Sequence, residues 1–241
     1  MLLKTKGIVI KQTKFSDSGV IVKIFTEELG VQSFFVRGLR GKKSKSKSAM
    51  FQPLTLIDMV VSYSENKSLH NIKEVTVSHA YQTVTENMIK RALLFFINEL
   101  LHKSLREEAE NKDLFNWIYN ALVWLDLAED GIVNFHLIFM MQLMVFLGFY
   151  PKNENSGINS VFDMQEGRFC SNKPVHPYYV IGDRAKLLSS IQHTSFEDSV
   201  NLGLSNKNRK IIIETLTTYY KIHLPAFGDF KSLDVLSVVL E

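Results

Sequence analysis

"LTLIDMVVSYS", residues 54–64, decides the first question of fold. Ile57, Met59, Val61 and Tyr63 occupy alternate positions, so on an extended chain they share one face. A helix would scatter them, and the stretch is predicted to be a strand with one side buried. Upstream, Thr5–Lys11 and Val20–Thr26 are short β-branched runs separated by the turn cluster "SDSG", 16–19, and "VQSFFVRG" follows Gly30. Downstream, beyond "ENKS", 65–68, "LHNIKEVTVSH" reads as a further strand. About five short strands at this spacing predict a small β-barrel or sandwich in residues 1–79.

Near Ala80 the period changes. "ENMIKRALLFFINELLHKSLREE", 86–108, carries Ile89, Leu93, Phe96, Leu100 and Leu101 along one helical stripe. "DLFNWIYNALVWLDLAED" supplies a second helix and the stretch from Gly131 to Phe149 a third. Although residues 132–150 are apolar enough to weigh as a membrane span, Asn134, His136 and Gln142 interrupt them. No aromatic belt or basic flank accompanies the segment, so a buried bundle helix is expected. Six prolines and glycines between Pro151 and Gly182 predict an irregular excursion over 151–182. A last long helix has Ser205 as its N-cap and stops at Pro225, with a short helix possible in the tail. The fold class expected is therefore α+β in two domains, 1–79 and 80–241.

Of 241 residues, 46% are hydrophobic and 22% charged, as in ordinary globular proteins. One cysteine, Cys170, cannot form an intramolecular disulfide, and the N-terminus shows no signal-peptide pattern. A cytoplasmic protein is expected. Charge is uneven: residues 1–50 hold 11 basic and 3 acidic residues, a net of +8, whereas the rest of the chain is net −5.

Much of that positive charge lies in "RGLRGKKSKSKSAMFQP", 37–53, a predicted loop between the third and fourth strands that contains Arg37, Arg40, Lys42, Lys43, Lys45 and Lys47. Lysine–serine alternation by itself describes a solvated connection equally well. Lys4, Lys6, Lys11 and Lys23 on neighbouring strands extend the charge over a surface, which favours a polyanion such as nucleic acid. Phe15, Phe25, Phe34, Phe35, Phe51 and Tyr63 are candidate stacking rings, although a barrel this small needs most of its large side chains inside. Phe34 and Phe35 are adjacent, so only one of them can face inward. No zinc finger or recognition helix is present to read base sequence.

Catalytic patterns are weak. The seven histidines show no HExxH spacing, no Walker A or GxSxG motif occurs, and the acid pairs Glu27–Glu28 and Glu107–Glu108 lie in polar surroundings. A metal-dependent nuclease would want acids converging beside the basic module, which has few. A docking adaptor whose positive module meets acidic partners, or a generic single-strand-binding protein, fits the same charge pattern.

The segment "KGIVIKQTKFSDSGVIVKIFTEELGVQSFFVRGLRGKKSK" resembles the N-terminal signature of the RecO family of bacterial recombination mediators: a first strand, a serine/acid turn, a Glu-Glu-x-Gly turn, then a basic "RG.R" passage. The likeness continues in "FQPLTLIDM", 51–59, in "LGFYP", 147–151, in "RKIIIETLTTYYKIHL" and in "FKSLDVL". It implies an N-terminal OB-fold, a helical second domain and a non-enzymatic role. Such proteins bind single- and double-stranded DNA, anneal complementary strands, and with RecR help load RecA onto DNA coated by single-stranded DNA-binding protein, whose C-terminal tail some relatives recognise. The basic passage maps to Arg37 and Arg40, with Lys42, Lys43, Lys45 and Lys47 as this chain's elaboration. Many members also carry a four-cysteine zinc site after the "GFYP" segment. Here that region offers only Cys170 and His176, so no structural zinc and no other cofactor are expected, and "FDMQEGRF", 162–169, stands as the hairpin-like shell of a degenerate site.

Overall fold

The computed structural model describes residues 1–15, 19–38, 45–105, 109–152 and 161–240, with the side chains of Lys45 and Ser46 left out. Contacts divide the chain into two units, Met1–Thr85 with Asn98–Asp126, and Glu86–Ile97 with Leu127–Glu241.

In the first unit five strands form: β1 (Leu2–Lys14), β2 (Gly19–Thr26), β3 (Gly30–Arg37), β4 (Leu56–Ser62) and β5 (His70–His79). They pair in the cyclic order β1-β2-β3-β5-β4 and close into a barrel. All neighbours are antiparallel except β3 and β5, which run parallel through Phe34↔His70 and Phe35↔Asn71. The alternation of Ile57, Met59 and Val61 points them into the barrel core beside Val9, Val22, Ile24, Phe34 and Phe51, and Tyr63 packs against its edge. β1 extends beyond the predicted Thr5–Lys11 at both ends, and its pairing with β2 shifts between Val9 and Lys11. That bulge puts Ile8, Val9 and Ile10 in succession out of solvent, and three consecutive buried residues conceal the two-residue period.

The predicted loop at 37–53 is not all loop. Lys45–Ala49 forms α1, a short helix, followed by turns in which the Phe51 N–H donates to Ser48 O and the Gln52 N–H to Ala49 O. Phe51, fully buried, anchors it to the barrel core, and the core contact overrides the polar composition of the lysine–serine run.

Two helical segments complete this unit: Asn98 onward of α2 (Met88–Ser104) and α3 (Lys112–Leu127). Phe115 of α3 meets Phe25 on the outside of β2, with ring centroids 5.5 Å apart, and Lys112 pairs with Glu28 at 2.9 Å. Asp126, at the other end of α3, has no exposed surface and accepts hydrogen bonds from the backbone N–H groups of Gln82, Thr83 and Val84, with His79 Nε2 at 2.9 Å. Burial alone would push its carboxyl up. The three N–H donors and His79 outweigh that and hold it below the ordinary carboxylate range.

The second unit is built on α4 (Phe135–Leu147), entered through a 3-10 turn at Ile132–Asn134 and ended by Gly148 at φ +82°. Residues Phe135–Met141 are all buried, as expected of a bundle core, and among the described residues no helix is long and apolar enough to cross a membrane. The excursion at 151–182 contains regular structure: β6 (Val161–Asp163), β7 (Arg168–Cys170) and β8 (Tyr179–Ile181) form an antiparallel sheet in the order β7-β6-β8. Three-residue strands offer too few alternations to register as a period. At the β6–β7 turn Gly167 has φ +65°, and a Cβ there would stand 2.5 Å from the Tyr219 hydroxyl. Cys170 Sγ lies 3.2 Å from Asn172 O, and His176 Nε2 lies 3.2 Å from Asp163 Oδ1. The remaining helices are α5 (Asp183–Gln192), α6 (Asn206–His223) and α7 (Leu233–Val239); Ser205 caps α6 by accepting from the Asn208 N–H.

Candidate nucleic-acid interface

Side chains on β1, β2 and β3 that alternate with the core residues point away from it. Across the three strands they form rows. One row runs Lys11–Lys23–Ser33, the next Thr13–Ile21–Phe35, and a third places Arg37 opposite Gly19, whose carbonyl accepts from the Phe15 N–H. Lys23 and Arg37 are separated by two rows, a span of about 13 Å.

The second and third rows together carry the aromatic element. Phe15 is 62% exposed and meets the half-buried Phe35 edge-on, with centroids 5.8 Å apart, and the Arg37 guanidinium lies 5.5 Å from the Phe35 ring centre. Lys47 reaches the same place from α1, donating to the Arg37 carbonyl at 3.2 Å. A groove of about 400 Å³ follows, lined by Phe35, Arg37, Lys47, Asn71 and Lys73 among others. Phe25, Phe34 and Phe51 are buried. Of the adjacent pair, Phe34 faces in and Phe35 out, so Phe15, Phe35 and the part-buried Tyr63 are the candidate rings that keep accessible surface.

The structure does not bring all ten predicted cations together. Lys11, Lys23, Arg37 and Lys47 share the β1–β2–β3 side and its rim. Lys4 and Lys6 stand opposite Val60 and Asp58 on the β1–β4 flank, where the Lys6 ammonium lies 5.3 Å from the Tyr119 ring centre. Arg40, Lys42 and Lys43 lie outside the described residues, and Lys45 is placed only by its backbone in α1. Sequence reasoning missed Lys73, which alternation along β5 signals. It also missed His102 and Lys103 in α2, whose proximity to Lys11 and Lys23 no local pattern discloses.

A second concavity, about 190 Å³, lies within the helical unit. Lys207, Arg209 and Lys210 of α6 line it together with Ile213, Leu233, Leu236 and Leu240, and His136 forms part of its wall. His136 is buried with Nδ1 unpartnered among the described residues, and burial, with Arg209 adding to it, pushes its imidazole down to about 3.

Together these define a two-part α+β protein: a small closed sheet with a cationic, aromatic-bearing side, and a helical part with a basic-rimmed apolar pocket. Residues 1–81 match the family model described as Recombination protein O N terminal, and residues 86–234 match Recombination protein O C terminal. A protein named DNA repair protein RecO from Bacteroides fragilis is 37% identical over the full length of both chains. Its namesakes from Flavobacterium psychrophilum and Phocaeicola vulgatus are 36% and 35% identical over 99% and 98% of each chain. The chain belongs to the RecO family of DNA repair and recombination proteins.

Proposed function

We propose that the protein is a non-enzymatic recombination mediator acting in the cytoplasm. Residues 1 to about 80 supply an OB-fold that holds single- and double-stranded DNA, and the remainder recruits partner proteins. The observation that carries this reading is the juxtaposition of Phe15, Phe35 and Arg37 with Lys11, Lys23, Lys47 and Lys73 around one side of the closed sheet. Cations there neutralise phosphates while ring faces accept unstacked bases, a combination that tolerates any sequence. Arg40, Lys42, Lys43 and Lys45 extend the contact through the basic passage, and Lys4 and Lys6 give it a second track along the β1–β4 flank. Binding two strands without reading their bases favours their annealing.

Family membership supports a finer role, in which the protein works with RecR to load RecA onto DNA coated by single-stranded DNA-binding protein. The basic-rimmed pocket of the helical unit suits that protein's C-terminal tail, since Lys207, Arg209 and Lys210 offer cations around an apolar floor of Ile213, Leu236 and Leu240.

The test is annealing of complementary labelled oligonucleotides, with and without single-stranded DNA-binding protein. Acceleration of annealing, together with loss of tail-peptide binding in Arg209→Glu, is the expected result. Tight binding without annealing would make the protein a passive coat. Magnesium-dependent turnover of the DNA would reject the non-enzymatic assignment, and protein capture without DNA affinity would leave a docking adaptor.

A further inference from the structure

Lys11 and Lys23 are direct cross-strand partners on the outward side of β1 and β2. Like charges so placed repel and weaken a ladder, and among the described residues neither forms an ion pair. A third basic group converges on them from α2. Lys11 Nζ lies 3.4 Å from His102 Nε2. Because an ammonium only donates, Nε2 is the acceptor, and the imidazole keeps its proton on Nδ1, which is buried without a partner among the described residues. Lys103 stands beside it, and the carboxylate facing the cluster, Glu99, lies 3.6 Å from Lys103. Three cationic side chains and a neutral histidine are thus held together by the fold with, among the described residues, Glu99 to offset them. Repulsion among these ammonium groups is what an anion set between them would relieve.

We propose that Lys11, Lys23 and His102 form a phosphate subsite, separate from the basic passage at 37–47, in which the two ammonium groups clamp a phosphate oxygen pair and the imidazole turns from acceptor to donor. That the phosphate belongs to a nucleic-acid backbone rests on the function proposed above. Desolvation first, then Lys11, Lys23 and Lys103, hold the His102 imidazole below its ordinary range, with Glu99 opposing them. A bound phosphate reverses the balance, so His102 gains a proton on binding. Affinity therefore rises as pH falls through the titration of the complex.

The test follows the His102 ring signals by NMR, identified by their loss in His102→Gln, across a pH titration of the full chain. Pyrophosphate is added in one arm and an oligothymidylate in the other. Both anions are expected to raise the His102 midpoint in the wild type and neither in Lys11→Gln/Lys23→Gln. In the same double variant the slope of log affinity for the oligonucleotide against log salt should become shallower by about 0.7, one phosphate's worth on a single strand. A midpoint that neither anion moves, while the oligonucleotide still binds with steep salt dependence, overturns the subsite and leaves the DNA reading intact. A midpoint moved by pyrophosphate alone, with no oligonucleotide bound, keeps the phosphate site and overturns the nucleic-acid reading.

Discussion

The guanidinium of Arg37 lies 5.5 Å from the ring centre of Phe35, whose edge contact with Phe15 leaves aromatic faces and a cation at one rim of the barrel. Stacking and phosphate contact make different demands on salt, so the two contributions separate experimentally. Phe35→Ala should weaken single-stranded DNA binding by about 1–3 kcal/mol, the worth of one base stacked on a ring, and leave the salt slope unchanged. Fluorescence anisotropy at several salt concentrations measures both. An unaltered affinity would remove Phe35 from the interface.

Asp126 joins three backbone N–H groups of residues 82–84 to the end of α3. Removing it by Asp126→Ala leaves those donors and the part-buried His79 without their acceptor, and should cost about 1–3 kcal/mol in urea unfolding. The sign of its pH dependence follows from its lowered folded value. Its contribution is complete above the unfolded carboxylate range, about 3.9, and is lost as pH falls through the folded value. The wild type should lose this increment in acid, and the variant should lack it at every pH.

His136 behaves oppositely in charge but alike in direction. Burial, then Arg209, pushes it to about 3 in the folded chain, while in the unfolded chain it titrates near about 6.5. The unfolded state therefore binds an extra proton between those limits, and stability falls as pH drops through that window, by at most about 1.4 kcal/mol per pH unit. His136→Leu should flatten that part of the stability profile. An identical slope in both proteins would contradict the assignment.

Gly167 combines a positive φ with close approach to Tyr219. Gly167→Ala should destabilise the chain by about 1–3 kcal/mol. Adding Tyr219→Phe removes the hydroxyl that the new methyl would strike and should recover part of the loss. It also gives up the bond from that hydroxyl to Phe149 O, 2.7 Å, so recovery is incomplete. Additive losses in the double variant would show that the collision is absent.

The sequence discloses what is periodic and local. Ile57, Met59 and Val61 announce a strand, and the run from Phe135 to Met144 announces a buried helix, because one residue's neighbours suffice to set each pattern. Three features escape for physical reasons. The bulge near Ile10 reverses the alternation of β1, the strands of β6–β8 are shorter than two full periods, and the Phe34↔His70 parallel pair depends on barrel closure. Of the candidate interface, the cations are legible as charge but not as geometry. Nothing between positions 11 and 102 signals that Lys11 and His102 meet, and Asp126 reads as one more helical acid until its three N–H donors are seen.

Cations on the barrel and in its basic passage are proposed to clamp a polyanion. The most direct test is the salt dependence of single-stranded DNA affinity in the wild type and in a variant with Arg37, Lys42, Lys43, Lys45 and Lys47 changed to alanine. Each lost phosphate contact should make the log–log slope shallower by about 0.7. A variant that binds as tightly as the wild type, with the same slope, would contradict the clamp.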